Sequence, residues 1–163
     1  MELRGEGILL RPPVAEDVDA IVAACSDDEI VRFIPMVPTP YERSDAEWWV
    51  DQSEGAWQNG DAYPFAIVDP GPARLVGAIE FRPADGSIGY WVARSARGRG
   101  MATRALRLIC GWRSERPLQL VTHPANLASQ RVAEKAGFRR VGLTPHEPHF
   151  RDGTTEAVLF ELA

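Results

Sequence analysis

The chain has 163 residues, of which 45% are apolar, and a formal charge of −5. Length and apolar content suit a single domain over residues 1–163 with a sizeable core, and the acidic balance argues against a nucleic-acid-binding surface. The first residues lack the basic-then-apolar layout of a secretory signal, and no apolar run approaches the roughly 20 residues of a membrane span. The two cysteines, Cys25 and Cys110, fall on apolar helical faces, so buried thiols are expected rather than a disulfide. A cytoplasmic protein without membrane contact is the expectation.

In chain order, residues 3–11 read as a first strand, stopped by Pro12-Pro13. Val18, Ile21, Val22 and Cys25 recur at helical spacing, marking an amphipathic helix over about 15–26. Residues 33–40 hold three prolines, which exclude a helix and stiffen a loop. Ser44 and Glu47 have capping-box spacing ahead of a second helix carrying Ala46, Trp49, Val50 and Ser53 on one face. Residues 63–69 and 74–82 read as strands joined at Pro70-Gly71-Pro72, and Asp85-Gly86 turns into a third at 88–93. A helix that is apolar nearly all round starts at Ala102, and a strand follows at 118–122, parallel to the 88–93 strand by the crossover rule. Residues 127–136 form a short helix stopped by Gly137, and two strands, 138–143 and 156–162, close the chain.

The stretch 87–103, SIGYWVARSARGRGMAT, is chemically the most informative. A strand that runs through a Gly-rich turn into a helix N-terminus gathers free N–H groups and the positive end of a helix dipole at one point, which suits a phosphate. Arg94, Arg97, Arg99, Arg104, Arg107 and Arg113 lie between Asp85 and Glu115 with no acidic residue among them. A local cationic site on an acidic chain points to a small anionic ligand. The GxxxxGK[ST] of a P-loop is absent, and GRGMA lacks the GxGxxG spacing of a dinucleotide fold.

Arg97-Gly98-Arg99-Gly100-Met101-Ala102 resembles the acetyl-CoA-binding motif [RQ]-x-x-G-x-[GA] of the GNAT N-acetyltransferases. Gly89-Tyr90-Trp91 before it, and Asn126-x-x-Ser129 with Glu134-Lys135-Ala136-Gly137-Phe138 after it, are similar to the RimJ/RimL branch of that family. The resemblance implies a GNAT fold: a mixed, mostly antiparallel α/β sheet of about seven strands with helices on both faces. It further implies acetyl-CoA as co-substrate, with no metal. The pyrophosphate would sit on the backbone of Arg97, Gly98, Arg99, Gly100, Met101, Ala102 and Thr103, and the pantetheine would pair with Trp91, Val92 and Ala93.

Moving an acetyl group from a thioester to an amine requires a neutral amine, an aligned attack and a donor for the leaving thiolate. The resemblance assigns the thiolate to Ser129 and the pantetheine arm to Asn126. The same two residues also suit a helix cap and first turn. Glu80 lies among apolar neighbours in its strand and could take the ammonium proton, directly or through water, although strand alternation equally allows it to face solvent. Many relatives carry an acidic residue just before Ile-Gly-Tyr; here that position is Ser87, which leaves the general base open. His123 reads as a proton relay or a surface group. His146-Glu147-Pro148-His149 has HxxH spacing, but Pro148 breaks the helix such a pair needs.

For the acceptor, the resemblance places Phe33, Met36, Trp48, Tyr90 and Glu147 across the cleft from CoA. Aromatic and apolar content with few acids suits an amine on a partly apolar body: a protein or peptide N-terminus, or a small hydrophobic amine. Use of another acyl-CoA, a non-catalytic CoA-sensing module and a homodimer are the other readings this sequence allows.

Overall fold

The computed structural model describes residues 1–163. The segment read as one opening strand is a hairpin of β1 (Leu3–Gly5) and β2 (Ile8–Arg11). Glu6 and Gly7 between them both have positive φ, 55° and 75°, the twist that a tight hairpin turn requires. This one turn raises the strand count from the expected seven to eight. A single 3-10 turn at Ala15–Asp17 leads into α1 (Val18–Cys25). Arg11 forks onto buried Asp17 with two hydrogen bonds of 2.8 Å, tying β2 to the start of that helix.

A short helix not expected from the sequence, α2 (Asp28–Phe33), follows, just ahead of the proline-rich loop. The Asp27 carboxylate accepts from Glu29 N and starts it, and Pro35 lies just beyond its end. The second long helix, α3 (Arg43–Asn59), begins ahead of the Ser44–Glu47 pair. Asp45 accepts from Glu42 N at 2.8 Å, so the capping contact sits two residues earlier than expected. Gly60, at φ 74°, closes the helix.

Strands β3 (Tyr63–Asp69), β4 (Arg74–Arg82) and β5 (Ser87–Val92) form the antiparallel meander. Next come α4 (Met101–Trp112), β6 (Leu118–Thr122), α5 (Leu127–Lys135), β7 (Arg139–Pro145) and β8 (Glu156–Leu162). The sheet order is β1-β2-β3-β4-β5-β6-β8-β7. Helices α4 and α5 cover one face, where Leu106, Ile109 and Ala133 pack on Phe65, Ile79, Phe81 and Phe160. On the other face, Val18, Ile21 and Cys25 of α1 and Ala46 of α3 pack on Ala66, Val68 and Leu75. Each fully buried side chain such as Leu106 contributes about 1.5–3 kcal/mol relative to exposure. Helix α4 is amphipathic rather than apolar all round: Arg107 and Gly111 face solvent, and Leu108 and Trp112 are only half-buried.

What positions the site is a defect in the sheet. Parallel strands β5 and β6 pair only at Ser87 and Gln119. Beyond that point β6 bonds to β8 along its whole length, and the two parallel strands diverge.

Candidate active site

The divergence opens a cleft of about 370 Å³. Tyr90, Trp91 and Val92 wall one side, and Val121, Thr122 and His123 wall the other. One end is the turn into α4, with Gly98, Gly100, Met101, Ala102 and Thr103. There Gly98 and Gly100 have φ of 76° and 72°, and a Cβ on Gly98 would meet nothing within 4 Å. The backbone is thus open to a ligand at the point of closest approach. The N–H groups of Gly98, Arg99 and Gly100 have no partner in the protein, and Arg104 N is the first in the turn to find one, on Gly100 O at 3.0 Å. No side chain caps the helix. These unpartnered donors, facing a long cleft, fit a diphosphate with a slender arm.

The arginines around this turn do not form the free cationic cluster that their spacing suggested. Arg97 is held by Asp27 at 2.5 Å and Glu29 at 2.6 Å, and Arg99 by Asp69 at 2.6 Å. The Arg99 guanidinium, and then Gly71 N, keep the Asp69 carboxyl below its ordinary range. Arg104 donates to the carbonyls of Glu6, Arg99 and Gly100 and so stiffens the turn. Ala93 lines neither cavity: its N–H donates to Val76 O at 2.7 Å and its carbonyl accepts from Ala96. Arg131 and Lys135 line the cleft from α5; from the sequence, Lys135 was named only within the Glu134–Phe138 motif and Arg131 not at all. Their i, i+4 spacing, shared with Ala128 and Val132, was the available signal.

Asn126 caps α5, its Oδ1 accepting from Ser129 N at 3.2 Å. Ser129 sits in the first turn, with its Oγ 3.1 Å from the hydroxyl of Tyr90. Burial, partly offset by that hydrogen bond, pushes the Tyr90 phenol up to about 12, so it keeps its proton throughout the neutral range. His123 is buried, contrary to the surface reading. Its Nδ1 accepts from Ala125 N at 2.9 Å, which leaves Nε2 to donate to Asp152 at 2.7 Å. Thr154 N, with His123 behind it, holds the Asp152 carboxyl down at about 2. His123 thereby clasps the β7–β8 loop to the end of β6. From the same loop, Arg151 donates to the carbonyls of Val31, Ile34 and Val37, fixing the segment that divides the site.

On the far side of that segment lies a second hollow of about 270 Å³. Met36, Tyr41, Trp48 and Trp49 give it an aromatic and apolar wall, and Asp45, Glu80 and Arg82 are its charged members. Trp48 is 63% and Met36 72% exposed, large apolar groups held in water at its rim. The Glu80 side chain, 26% exposed, points into this hollow and pairs with Arg82 at 2.6 Å. Phe33, by contrast, lines the first cleft, where its ring meets that of His123. Ile34, Tyr90 and Trp91 line both cavities. Glu147 lines neither, and its exposed carboxylate pairs with His149. His146 Nδ1 contacts Pro148 O, so the two histidines of the HxxH spacing do not converge.

The family model described as an acetyltransferase (GNAT) domain matches residues 8–139. The chain belongs to the GNAT family. It is an acyltransferase, and its open sheet of eight mostly antiparallel strands is the GNAT fold. It is similar to the "Probable N-acetyltransferase YjcK" of Bacillus subtilis (strain 168), 25% identical over 154 residues that cover 86% of this chain and 85% of that protein. Among solved structures, RimL, a ribosomal L7/L12 alpha-N-protein acetyltransferase in complex with coenzyme A, has a TM-score of 0.85 at 16% identity. That likeness covers 99% of this chain and 97% of RimL. Mycobacterium smegmatis RimJ in complex with CoA-disulfide has a TM-score of 0.81 at 22% identity, over 99% of this chain and 85% of RimJ. At these identities the structural likeness speaks for the GNAT fold alone.

Proposed function

We propose that this GNAT protein moves the acetyl group of acetyl-CoA to a primary amine by direct attack within a ternary complex. The observation that carries the reading is the meeting of the two cavities at Tyr90, with the Ser129 hydroxyl beside it. A thioester lying along the first cleft would end where an amine from the second hollow can reach it. Coenzyme A in RimL and CoA-disulfide in RimJ support CoA as the occupant of the first cleft. The N–H groups at residues 98–103 would take its diphosphate, and Arg131 and Lys135 supply positive charge along the same wall. The diverging strands leave the β5 backbone at Val92 for the pantetheine amides, with Asn126 facing the same arm, while Trp91 O turns toward Gly77 of β4.

In the reaction the ammonium first gives a proton to Glu80 or to water beside it. The amine lone pair then forms the C–N bond, the C–S bond breaks, and the thiolate takes a proton from Ser129, whose hydroxyl is held by Tyr90; the second proton of the attacked nitrogen restores the Ser129 hydroxyl. Amide, thiol and one released proton balance the step. The acceptor is a protein or peptide N-terminus or a small amine, and the RimL and RimJ likenesses keep the former in view. The open second hollow supports a transferase over a CoA-sensing module, whose acceptor side would be closed. Thiol release from acetyl-CoA against peptides, amino acids, arylalkylamines, polyamines and aminoglycosides tests the reading. Turnover of none of them, with acetyl-CoA or another acyl-CoA, would overturn it.

A further inference from the structure

The second hollow holds a charge pair whose placement is informative. Glu80 and Arg82 stand two residues apart on β4, hence on one face of the sheet, while Phe81 between them is fully buried on the other. Both line the hollow, and each is the other's ion-pair partner at 2.6 Å. In the β4–β5 register Glu80 lies opposite Gly89, where a Cβ would meet nothing within 4 Å. The floor beside the carboxylate is therefore vacant, and it adjoins Tyr90, where the hollow meets the first cleft. Aromatic and apolar groups, Met36, Trp48 and Trp49 among them, make up the rest.

We infer that the acceptor is a zwitterion: a free α-amino acid with an apolar or aromatic side chain, bound with its ammonium at Glu80 and its carboxylate at Arg82. The inference rests on the N-acetyltransferase reading and names the substrate class for it. A zwitterion exchanges with the resident ion pair charge for charge, so neither Glu80 nor Arg82 is left unpaired as the hollow loses water. A peptide N-terminus brings the ammonium alone and strands the Arg82 guanidinium once it takes Glu80. The same exchange prepares the chemistry. The substrate carboxylate draws Arg82 away, and Glu80 is then free to receive the proton that the ammonium must lose before its lone pair attacks the acetyl carbon. The apolar side chain fills the aromatic part of the hollow, whose volume of about 270 Å³ suits one amino-acid side chain better than an extended chain.

The test measures kcat/KM at saturating acetyl-CoA for L-phenylalanine, L-leucine and L-methionine, for their amides, for phenethylamine, and for tetrapeptides with the same first residues. Free acids are expected to exceed amides by about 2–5-fold, the worth of a charge pair whose arginine is 63% exposed. Arg82→Gln should collapse that ratio toward one. Gly89→Val, at a position with ordinary φ and open space, should retain the fold and raise KM for the amino acids. Amides or peptides turned over as fast as the acids would overturn the zwitterion while leaving the transferase standing. Arg82→Gln lowering acids and amides alike would do the same. Turnover of no amine at all would overturn both.

Discussion

The cleft between β5 and β6 ends at the backbone of one contiguous turn, residues 98–103, and β5, β6, α2 and α5 wall its sides. The hollow above β4 is walled by long side chains from α1, the residues 34–41, α3, β4 and β5. In the proposed reading the first takes what every acyl-CoA has, and its diphosphate end is a sharp glycine turn before a helix, a feature local in the sequence. In the same reading the second takes what distinguishes one acceptor from another, and it exists only once five segments are packed together. Tyr90 belongs to both: its side chain packs on the α4–α5 face with its hydroxyl on Ser129, and the residue also borders the hollow. Binding of the common half and choice of the variable half are therefore separable by substitution.

Gly100→Asp should break the cleft and leave the hollow. A side chain and a negative charge would stand at the uncapped helix end, and acetyl-CoA affinity should fall by at least about 100-fold. In the parent protein, acetyl-CoA at 100 times its Kd should add about 2.7 kcal/mol, which raises Tm by about 5–10 °C. That shift should vanish in the variant; its retention would remove the diphosphate from this turn.

Ser129→Ala should separate binding from chemistry at the junction. We expect kcat to fall by about 100-fold with the acetyl-CoA melting shift in place, because a donor to the thiolate matters only as charge develops. Unchanged kcat with lowered Tm would make Ser129 a helix residue only.

Alkaline pH should test Tyr90 itself. Its folded pKa is raised from the ordinary 10.0 to about 12, so the unfolded chain loses the proton first and stability falls as pH rises from 10 toward 12. At pH 11 this one group accounts for about 1.4 kcal/mol. Burial likewise lifts Cys25 to about 12 and Cys110 to about 11, so the decline begins near pH 9. Calorimetry at pH 9, 10 and 11 should show a shallower loss for Tyr90→Phe than for the parent; parallel curves would mean that Tyr90 ionises freely.

The smallest effect is expected at the rim of the hollow. Trp48→Ala removes an exposed side chain, so stability should change by about 0.5 kcal/mol or less. The KM of the acceptor should rise about fivefold, the worth of one aromatic contact. An unchanged KM across all acceptors would place the amine's apolar body elsewhere.

The turn with unpartnered N–H groups at residues 98–100 was legible because turn, glycine and helix start are all local features, and local geometry decides where those N–H groups point. Strands 63–69 and 74–82 were legible to the residue for the same reason: a short continuous apolar run and a Pro-Gly turn act within a few residues. Two local features were missed, the Glu6-Gly7 turn and the six-residue α2, since each is brief: the first interrupts a stretch that reads as one strand, and the second falls between the 15–26 helix and the proline-rich loop. The fold decided what lies far apart along the chain. Asp27, Glu29 and Asp69 neutralise arginines some 30 to 70 positions away. Tyr90 reaches Ser129 across 39 residues, and Phe33 falls in the first cleft while Met36, three residues later, falls in the second. Charge pairing and cavity membership depend on distance in space, which the topology sets by parting β5 from β6 and folding α2 across the gap.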